Sequence, residues 1–135
     1  MKIAELSIGQ SASFSKTISE SDVYLFAGIT GDLNPVHIND EHAKTSIFKG
    51  RVAHGMLTAS FISTVLGMYL PGPGTILAKQ DIKYLVPVYF GDTITAICTV
   101  KEKIEVKKLV VFDCKIVNQD DKTVIVGSAT ILLQE

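Results

Sequence analysis

Apolar residues in the first part of the chain recur with helical spacing. In the stretch SESDVYLFAGITG, Ser19 and Asp22 have the spacing of a capping box, and the apolar positions that follow fit one face of a helix. This pattern predicts a helix that runs to about Gly28. A loop at residues 29–38 follows, and Asn39 is placed as the N-cap of a second short helix that ends before the segment FKGR.

The longest apolar segment, HGMLTASFISTVLGMYLPGPG, occupies residues 54–74 and ends in a Pro-Gly-Pro-Gly stop. Its helical part is about sixteen residues long and contains several hydroxyl side chains, whereas a helix that spans a bilayer needs about twenty apolar residues. The segment therefore predicts a long central helix that is buried in a protein core and does not enter a membrane.

From Thr75 onward the apolar period changes from the helical value to two. Four consecutive segments rich in Val, Ile, Thr and Tyr are separated by turn signals, with no helix between them, which favours antiparallel pairing. The predicted strands lie near residues 75–90, 92–103, 107–118 and 122–133, with a further strand near 11–18. Together these elements predict an α+β fold in which an antiparallel sheet wraps around one long helix.

Length and charge limit what the chain can bind. Its 135 residues are enough for one domain with a real core, so residues 1–135 are predicted to form a single domain. Thirteen basic and fourteen acidic residues give a formal net charge of -1 and are scattered along the chain. Because no basic patch is present, nucleic acid is not expected as a partner.

The N-terminal stretch and the cysteines bear on the compartment. MKIAELSIGQS lacks the apolar core of a signal peptide, so we expect a cytoplasmic protein. Cys98 and Cys114 lie inside apolar strand segments and have no CxxC partner or nearby histidine. In a reducing compartment they are predicted to be small core residues, without a disulfide, metal or redox role.

The stretch GDLNPVHIND, residues 31–40, places Asp32, Asn34 and His37 around Pro35. Gly, Asp, Asn and Pro are ordinary turn residues, but a histidine is not part of that chemistry. A loop can bring a carboxylate and an imidazole to one point, where the pair could hold a water and act as general acid and base. The alternative is that Asp32 caps a turn and His37 is a satisfied polar residue, and spacing alone favours it.

Two other kinds of chemistry fit the sequence less well. Asp32, His37 and His42 are possible metal ligands, but the two histidines are five residues apart and miss the helical spacing of a ligand pair. Nucleophilic catalysis is disfavoured because neither cysteine is close to a histidine and no GxSxG motif occurs. We therefore expect neither a metal nor a cofactor.

Three motifs together carry a family resemblance. GDLNPVHINDEHA at 31–43, VAHGM at 52–56 and PVYFGD at 87–92 resemble the (R)-specific enoyl-CoA hydratases of the MaoC-like, or hydratase 2, family, and the similarity extends over nearly the whole chain. The resemblance implies the hot-dog fold, a sheet around a central helix, which agrees with the periodicity. It also implies a homodimer that acts on an acyl-CoA thioester.

The resemblance also implies roles for individual residues. Asp32 and His37 would form the catalytic dyad, Asn34 would help to fix the loop or the water, and Ser63 would lie near the dyad. Gly55 would donate its backbone N–H to the thioester oxygen. The N-terminus of a helix suits that role because its first N–H groups are unpaired and carry partial positive charge.

Three further residues have possible roles around this site. Leu66, eleven positions after Gly55 on the same helical face, would either close the acyl pocket and favour short chains or be an ordinary core leucine. His54 is interpreted as a packed helix-start residue outside the catalytic set. Arg51, the one arginine in the sequence, is either a partner for coenzyme A phosphates or a solvated surface residue.

The expected activity is reversible syn hydration of a trans-2-enoyl-CoA to an (R)-3-hydroxyacyl-CoA. Alternatives are dehydration of 3-hydroxyacyl groups on acyl carrier protein and a non-catalytic module that binds acyl-CoA. The intact Asp32 and His37 argue against the binding module, which needs neither. The sequence does not assign the base and the acid, because a coupled pair titrates as a unit.

Overall fold

The computed structural model describes residues 1–134, so the last residue of the predicted domain lies outside the described residues. One antiparallel sheet has the strand order β1-β3-β4-β5-β2. The strands are β1 (Ser11–Thr17), β2 (Thr75–Tyr84), β3 (Thr93–Ile104), β4 (Leu109–Val117) and β5 (Thr123–Leu133). The helices are α1 (Glu20–Thr30), α2 (Pro35–Ile38), α3 (Asp40–Thr45) and α4 (Gly55–Thr64), and α4 continues as a π-helical segment, Val65–Tyr69.

Helix α4 packs against the inner face of the sheet. Alternate residues of β3 and β4 are buried, as the period of two predicts, and they join α4 in one hydrophobic core. Ile62 of α4 and Phe112 of β4 are both 0 % exposed. Complete burial of such a side chain stabilises the folded state by about 1.5–3 kcal/mol relative to leaving it exposed. The predicted sheet around a central helix is confirmed.

The predicted core role of the cysteines also agrees with the structure. Cys98 of β3 lies opposite Cys114 of β4, and both are buried free thiols on the inner face. Among the described residues, no helix is long and apolar enough to cross a membrane.

The strand predicted at 75–90 is shorter in the structure, because β2 ends at Tyr84. Pro87 has no N–H for a strand ladder, so the chain leaves the sheet edge before it. The segment 85–90 instead crosses to the chain that precedes α4, where the Ala53 N–H donates to the Val88 carbonyl at 2.8 Å and Val52 bridges Tyr89. This departure from the sheet edge fixes residues 52–54 at the start of the central helix.

Candidate active site

The loop that carries Asp32 begins at the end of α1. The capping box of Ser19 and Asp22 starts this helix as predicted, but the helix extends to Thr30, beyond the expected end near Gly28. Gly31 then adopts φ 80°, a left-handed conformation that glycine reaches without steric cost, and turns the chain into Asp32. The hydroxyl of Thr30 accepts the Asp32 N–H at 3.2 Å, which holds the start of the loop.

His37 lies on a helical turn, α2, where the sequence predicted a loop. Asn34 caps this turn by accepting the Val36 N–H at 3.3 Å, and Pro35 occupies the first position. An Asn cap followed by Pro is a favourable helix start, which explains why this part of the loop is helical. Asn34 therefore caps the segment that carries His37, and its predicted role at the site stays a prediction.

The imidazole of His37 is largely buried, with 9 % of the residue exposed. Its Nδ1 atom lies 2.7 Å from the Val52 carbonyl oxygen. A carbonyl oxygen can only accept, so Nδ1 carries the proton and the neutral ring has its lone pair on Nε2. Burial lowers the pKa of His37, and the charge of His54 lowers it further, while the Val52 bond and Asp32 oppose the shift.

Asp32 and His37 come together although they are five positions apart in the sequence. One ligand atom each from Asp32, His37 and His54 lies within 4.8 Å of the other two. Two hydrogen bonds of about 2.8 Å each reach up to about 5.6 Å, so one water can bridge the carboxylate and the imidazole. The carboxylate also accepts the Asn34 N–H at 3.3 Å and is otherwise exposed.

His54, which the sequence interpretation left outside the catalytic set, lies against the dyad. Its ring stacks on the His37 ring, with centroids 3.8 Å apart and planes 26° apart. The Phe26 ring packs against His54 in a tilted orientation, with ring centroids 4.9 Å apart. Its Nε2 atom lies 3.0 Å from the backbone carbonyl oxygen of Asp32. In the sequence, the feature that points to His54 is its position directly before Gly55, the first residue of the central helix, and that position alone indicates only a packed helix-start residue.

An apolar cavity of about 460 Å³ opens beside His37. Gly55, the first residue of α4, lines it, and so does Thr58 one turn later. A Cβ atom on Gly55 would come within 2.7 Å of the Tyr84 ring, so the glycine allows close packing at the helix start. The remaining lining residues are mostly apolar: Val36, Phe48, Val52, Ala53, Tyr84, Leu85, Val86, Pro87, Val88 and Ile125.

Two other predicted site residues lie further along the same helix. Ser63 is exposed on α4. Leu66 is 1 % exposed, lies in the π-helical segment and belongs to the hydrophobic core. Neither residue lines the cavity beside His37. Their expected contacts with substrate stay predictions.

Arg51 is not the solvated surface residue of one expected role, and its expected contact with coenzyme A phosphates stays a prediction. Its guanidinium pairs with Glu20 at 2.7 Å and with Asp40 at 3.5 Å, donates to the Tyr24 hydroxyl, and lies 4.8 Å from the Phe90 ring. The side chain is 21 % exposed, so it is neither freely solvated nor free of carboxylate partners. Arg51 joins α1, α3 and the segment 85–90 around the dyad.

The possible metal ligands that lie close together are Asp32, His37 and His54, whereas the sequence offered His42 as the third possible ligand. Both imidazoles already use one nitrogen to donate to a backbone carbonyl. Imidazole lone pairs lie in the ring plane, so two stacked rings direct them side by side and not toward one point. A tetrahedral metal site needs converging ligands, and this arrangement does not fit one.

Comparison with known proteins gives the same family for sequence and structure. The model of the MaoC-like domain matches residues 4–120. An (R)-specific enoyl-CoA hydratase of Rhodospirillum rubrum is 53 % identical over 93 % of this chain and 86 % of its own, and one of Aeromonas caviae is 35 % identical over 98 % and 99 %. The unliganded R-hydratase of Pseudomonas aeruginosa superposes with a TM-score of 0.92 at 42 % identity, covering 98 % of this chain and 84 % of that one.

Proposed function

Because this chain belongs to the MaoC-like family, we propose that it is an (R)-specific enoyl-CoA hydratase. It adds water reversibly to a trans-2-enoyl-CoA and forms an (R)-3-hydroxyacyl-CoA. The observation that carries the proposal is the approach of the Asp32 carboxylate and the His37 imidazole to within 4.8 Å beside an apolar cavity. Relatives named as (R)-specific enoyl-CoA hydratases support it.

In the proposed reaction, one water lies between Asp32 and the Nε2 atom of His37. A lowered pKa favours neutral His37, whose Nε2 lone pair accepts a proton from the water. The water oxygen bonds to Cβ of the enoyl group, and the electron pair of the double bond moves through Cα to the thioester oxygen. The Asp32 carboxylate orients the water and stabilises the imidazolium.

The second step returns the proton. The enolate re-forms the thioester carbonyl as His37 delivers its proton to Cα on the face that received the hydroxyl. One water has then been added in the syn sense, and both groups of the dyad are back in their starting states. The chain's residues complete this cycle without a redox partner.

Gly55 supplies the proposed oxyanion contact. Its backbone N–H lies in the first turn of α4, where helical N–H groups have no partner within the helix and carry partial positive charge. An enolate oxygen placed there is stabilised more than the ground-state carbonyl, which lowers the barrier. In this proposal the acyl chain lies along the apolar lining of the cavity, and the predicted contacts with Ser63 and Leu66 require it to extend beyond that lining.

A homodimer belongs to the same proposal. Strand β2 is at the edge of the sheet, and its outward residues include Ile76 at 44 % and Tyr84 at 52 % exposed. An edge strand with unpaired backbone groups and apolar side chains favours pairing with a second chain. A dimer mass in sedimentation would support this, and a monomer at enzyme-assay concentrations would contradict it.

The proposal also includes a cytoplasmic location and a place in fatty acid metabolism. The proposed acyl-CoA substrate supports both.

The proposed function is tested by mixing the protein with crotonyl-CoA and following the loss of the enoyl absorbance. The same assay with a crotonyl group on acyl carrier protein separates the two carriers. Faster turnover of crotonyl-CoA supports the proposal. Turnover of the carrier-protein substrate alone would favour the dehydratase alternative, and binding of crotonyl-CoA without turnover would favour the non-catalytic module.

A further inference from the structure

His54 makes contact with both members of the dyad from one position. The residue is 2 % exposed and is the N-cap residue of α4, directly before Gly55. Its ring stacks on His37, and its Nε2 atom is 3.0 Å from the Asp32 carbonyl oxygen, 22 residues earlier in the chain. Among the described residues, no other side chain donates a hydrogen bond to the Asp32 carbonyl oxygen.

The hydrogen bond fixes the tautomer of His54. Because the Asp32 carbonyl can only accept, Nε2 of His54 carries a proton. By the same reasoning, His37 carries its proton on Nδ1, since that atom faces the Val52 carbonyl. The two stacked rings therefore donate through different nitrogens, Nε2 in His54 and Nδ1 in His37, which leaves His37 Nε2 free for the water.

A packing role alone does not account for an imidazole here. The Nδ1 atom of His54 is buried and has no hydrogen-bond partner among residues 1–134. A phenyl ring would fill the space between Phe26 and His37 without burying an unsatisfied nitrogen, which is unfavourable. The Nε2–H bond to Asp32 is the contact that a phenyl ring could not make.

We propose that His54 is a positioning residue for hydration: it ties the Asp32 loop to the start of the central helix and holds the His37 ring by stacking. The inference rests on the proposed function of the dyad. His54 acts through Asp32 and His37 and does not touch the reacting atoms itself.

Two substitutions separate the two contacts. His54→Gln keeps an N–H donor near the position of Nε2 and loses the stacked ring, whereas His54→Phe keeps the ring and loses the donor. A displacement of about 1 Å in a catalytic group can cost about a hundredfold in rate. We expect each variant to lower kcat by about tenfold to a hundredfold, with a change in KM for crotonyl-CoA of less than about threefold.

The pH profile gives a readout that a structural role would not move. Asp32 and His54 are the titratable groups within 4.8 Å of His37 among the described residues, and Tyr84 of β2 lines the same cavity. Because the charge of His54 lowers the pKa of His37, both variants should shift the acid limb of kcat/KM to higher pH. His42→Gln, on an exposed histidine of α3, is the matched control and should leave kcat and the profile unchanged.

A destabilised variant away from the dyad serves as a second control, because it separates an effect of lost stability from an effect of lost positioning. Val110→Ala, in β4 and 0 % exposed, should lower the melting temperature without shifting the pH profile. Variants of His54 with normal kcat and an unshifted profile would overturn the proposal. So would activity losses no larger than that of Val110→Ala at the same loss of melting temperature.

Imidazole ¹⁵N spectra test the inference even if crotonyl-CoA is not hydrated, because they report the tautomer of each ring directly. The chain has three histidines, so the signals are few enough to assign. The proposal expects His54 as the Nε2–H tautomer and His37 as the Nδ1–H tautomer. It also expects the His37 ring signals to broaden in His54→Gln, because the ring loses its stacking partner while the Val52 carbonyl keeps the proton on Nδ1. An Nδ1–H form of His54, or an unchanged His37 signal in that variant, would refute positioning, whereas absent hydration by the wild type would refute the proposed function alone.

Discussion

Replacement of His37 by Asn or by Gln separates its structural contact from its proposed chemistry. The amide nitrogen of Asn, attached to Cγ, can occupy the position of Nδ1 and donate to the Val52 carbonyl, which accepts at 2.7 Å in the wild type. The amide nitrogen of Gln, one bond further out, falls near Nε2 and leaves that buried carbonyl without its partner. Neither amide is a base, and both variants lose the stacked ring.

The two expected effects differ in size. Loss of the bond to Val52 costs about 0.5–1.5 kcal/mol, so His37→Gln should unfold about 1 kcal/mol more easily than His37→Asn. Loss of the general base should cost at least about a hundredfold in rate, or about 2.7 kcal/mol of activation free energy, in both variants. Stability should therefore distinguish the two variants, whereas turnover should not.

Urea unfolding followed by circular dichroism gives the first quantity, and crotonyl-CoA hydration gives the second. The matched control is His42→Gln, which should change neither. Near-normal turnover in His37→Asn together with reduced turnover in His37→Gln would show that activity follows the Val52 contact. That result would refute the base and leave His37 as a satisfied polar residue of the turn.

The remaining predictions use the same assay. Asp32→Asn should keep the fold and lower hydration at least about a hundredfold, and near-normal turnover with a lower melting temperature would return Asp32 to the role of a turn cap. Leu66→Ala should cost about 2–5 kcal/mol of stability because the residue is buried, and raise the rate on octenoyl-CoA relative to crotonyl-CoA, so an unchanged ratio would remove Leu66 from the acyl site. Chelators should leave turnover intact because the proposed polarising group is the Gly55 N–H, and inactivation reversed by one divalent ion would revive a metal site. Because burial lowers the pKa of His37 and the neutral ring is the base, activity should fall only as pH drops below the ordinary value of 6.5, and an acid limb above that value would contradict the assignment.

The parts of the fold that depend on local pattern could be predicted. The apolar strand pattern around Cys98 correctly placed this residue in the core, because a half-buried strand exposes one face at a period of two. The capping box at Ser19 likewise located the start of α1. The end of β2 was misplaced because apolar composition continues past Tyr84, whereas Pro87 directs the chain toward Val52.

The sequence suggested the candidate pair but not its supporting contacts. Asp32 and His37 are close enough in sequence for one loop to bring them together, but spacing alone favoured a turn cap, and the prediction of a dyad came from the family resemblance. His54 reaches Asp32 across 22 residues, and no spacing rule connects those positions. The ring of Tyr84 against Gly55 is a further contact between distant segments, which gives the glycine a packing reason beside the expected thioester contact.

The most direct test of the central claim is the stereochemistry of hydration in D₂O. After crotonyl-CoA is converted, the configuration at C3 and the position of deuterium at C2 are determined. The proposed dyad predicts the (R)-3-hydroxy product with deuterium added at C2 on the face that received the hydroxyl, and Asp32→Asn should form this product at least about a hundredfold more slowly. An (S)-3-hydroxy product, deuterium added to the opposite face, or full recovery of crotonyl-CoA would contradict it.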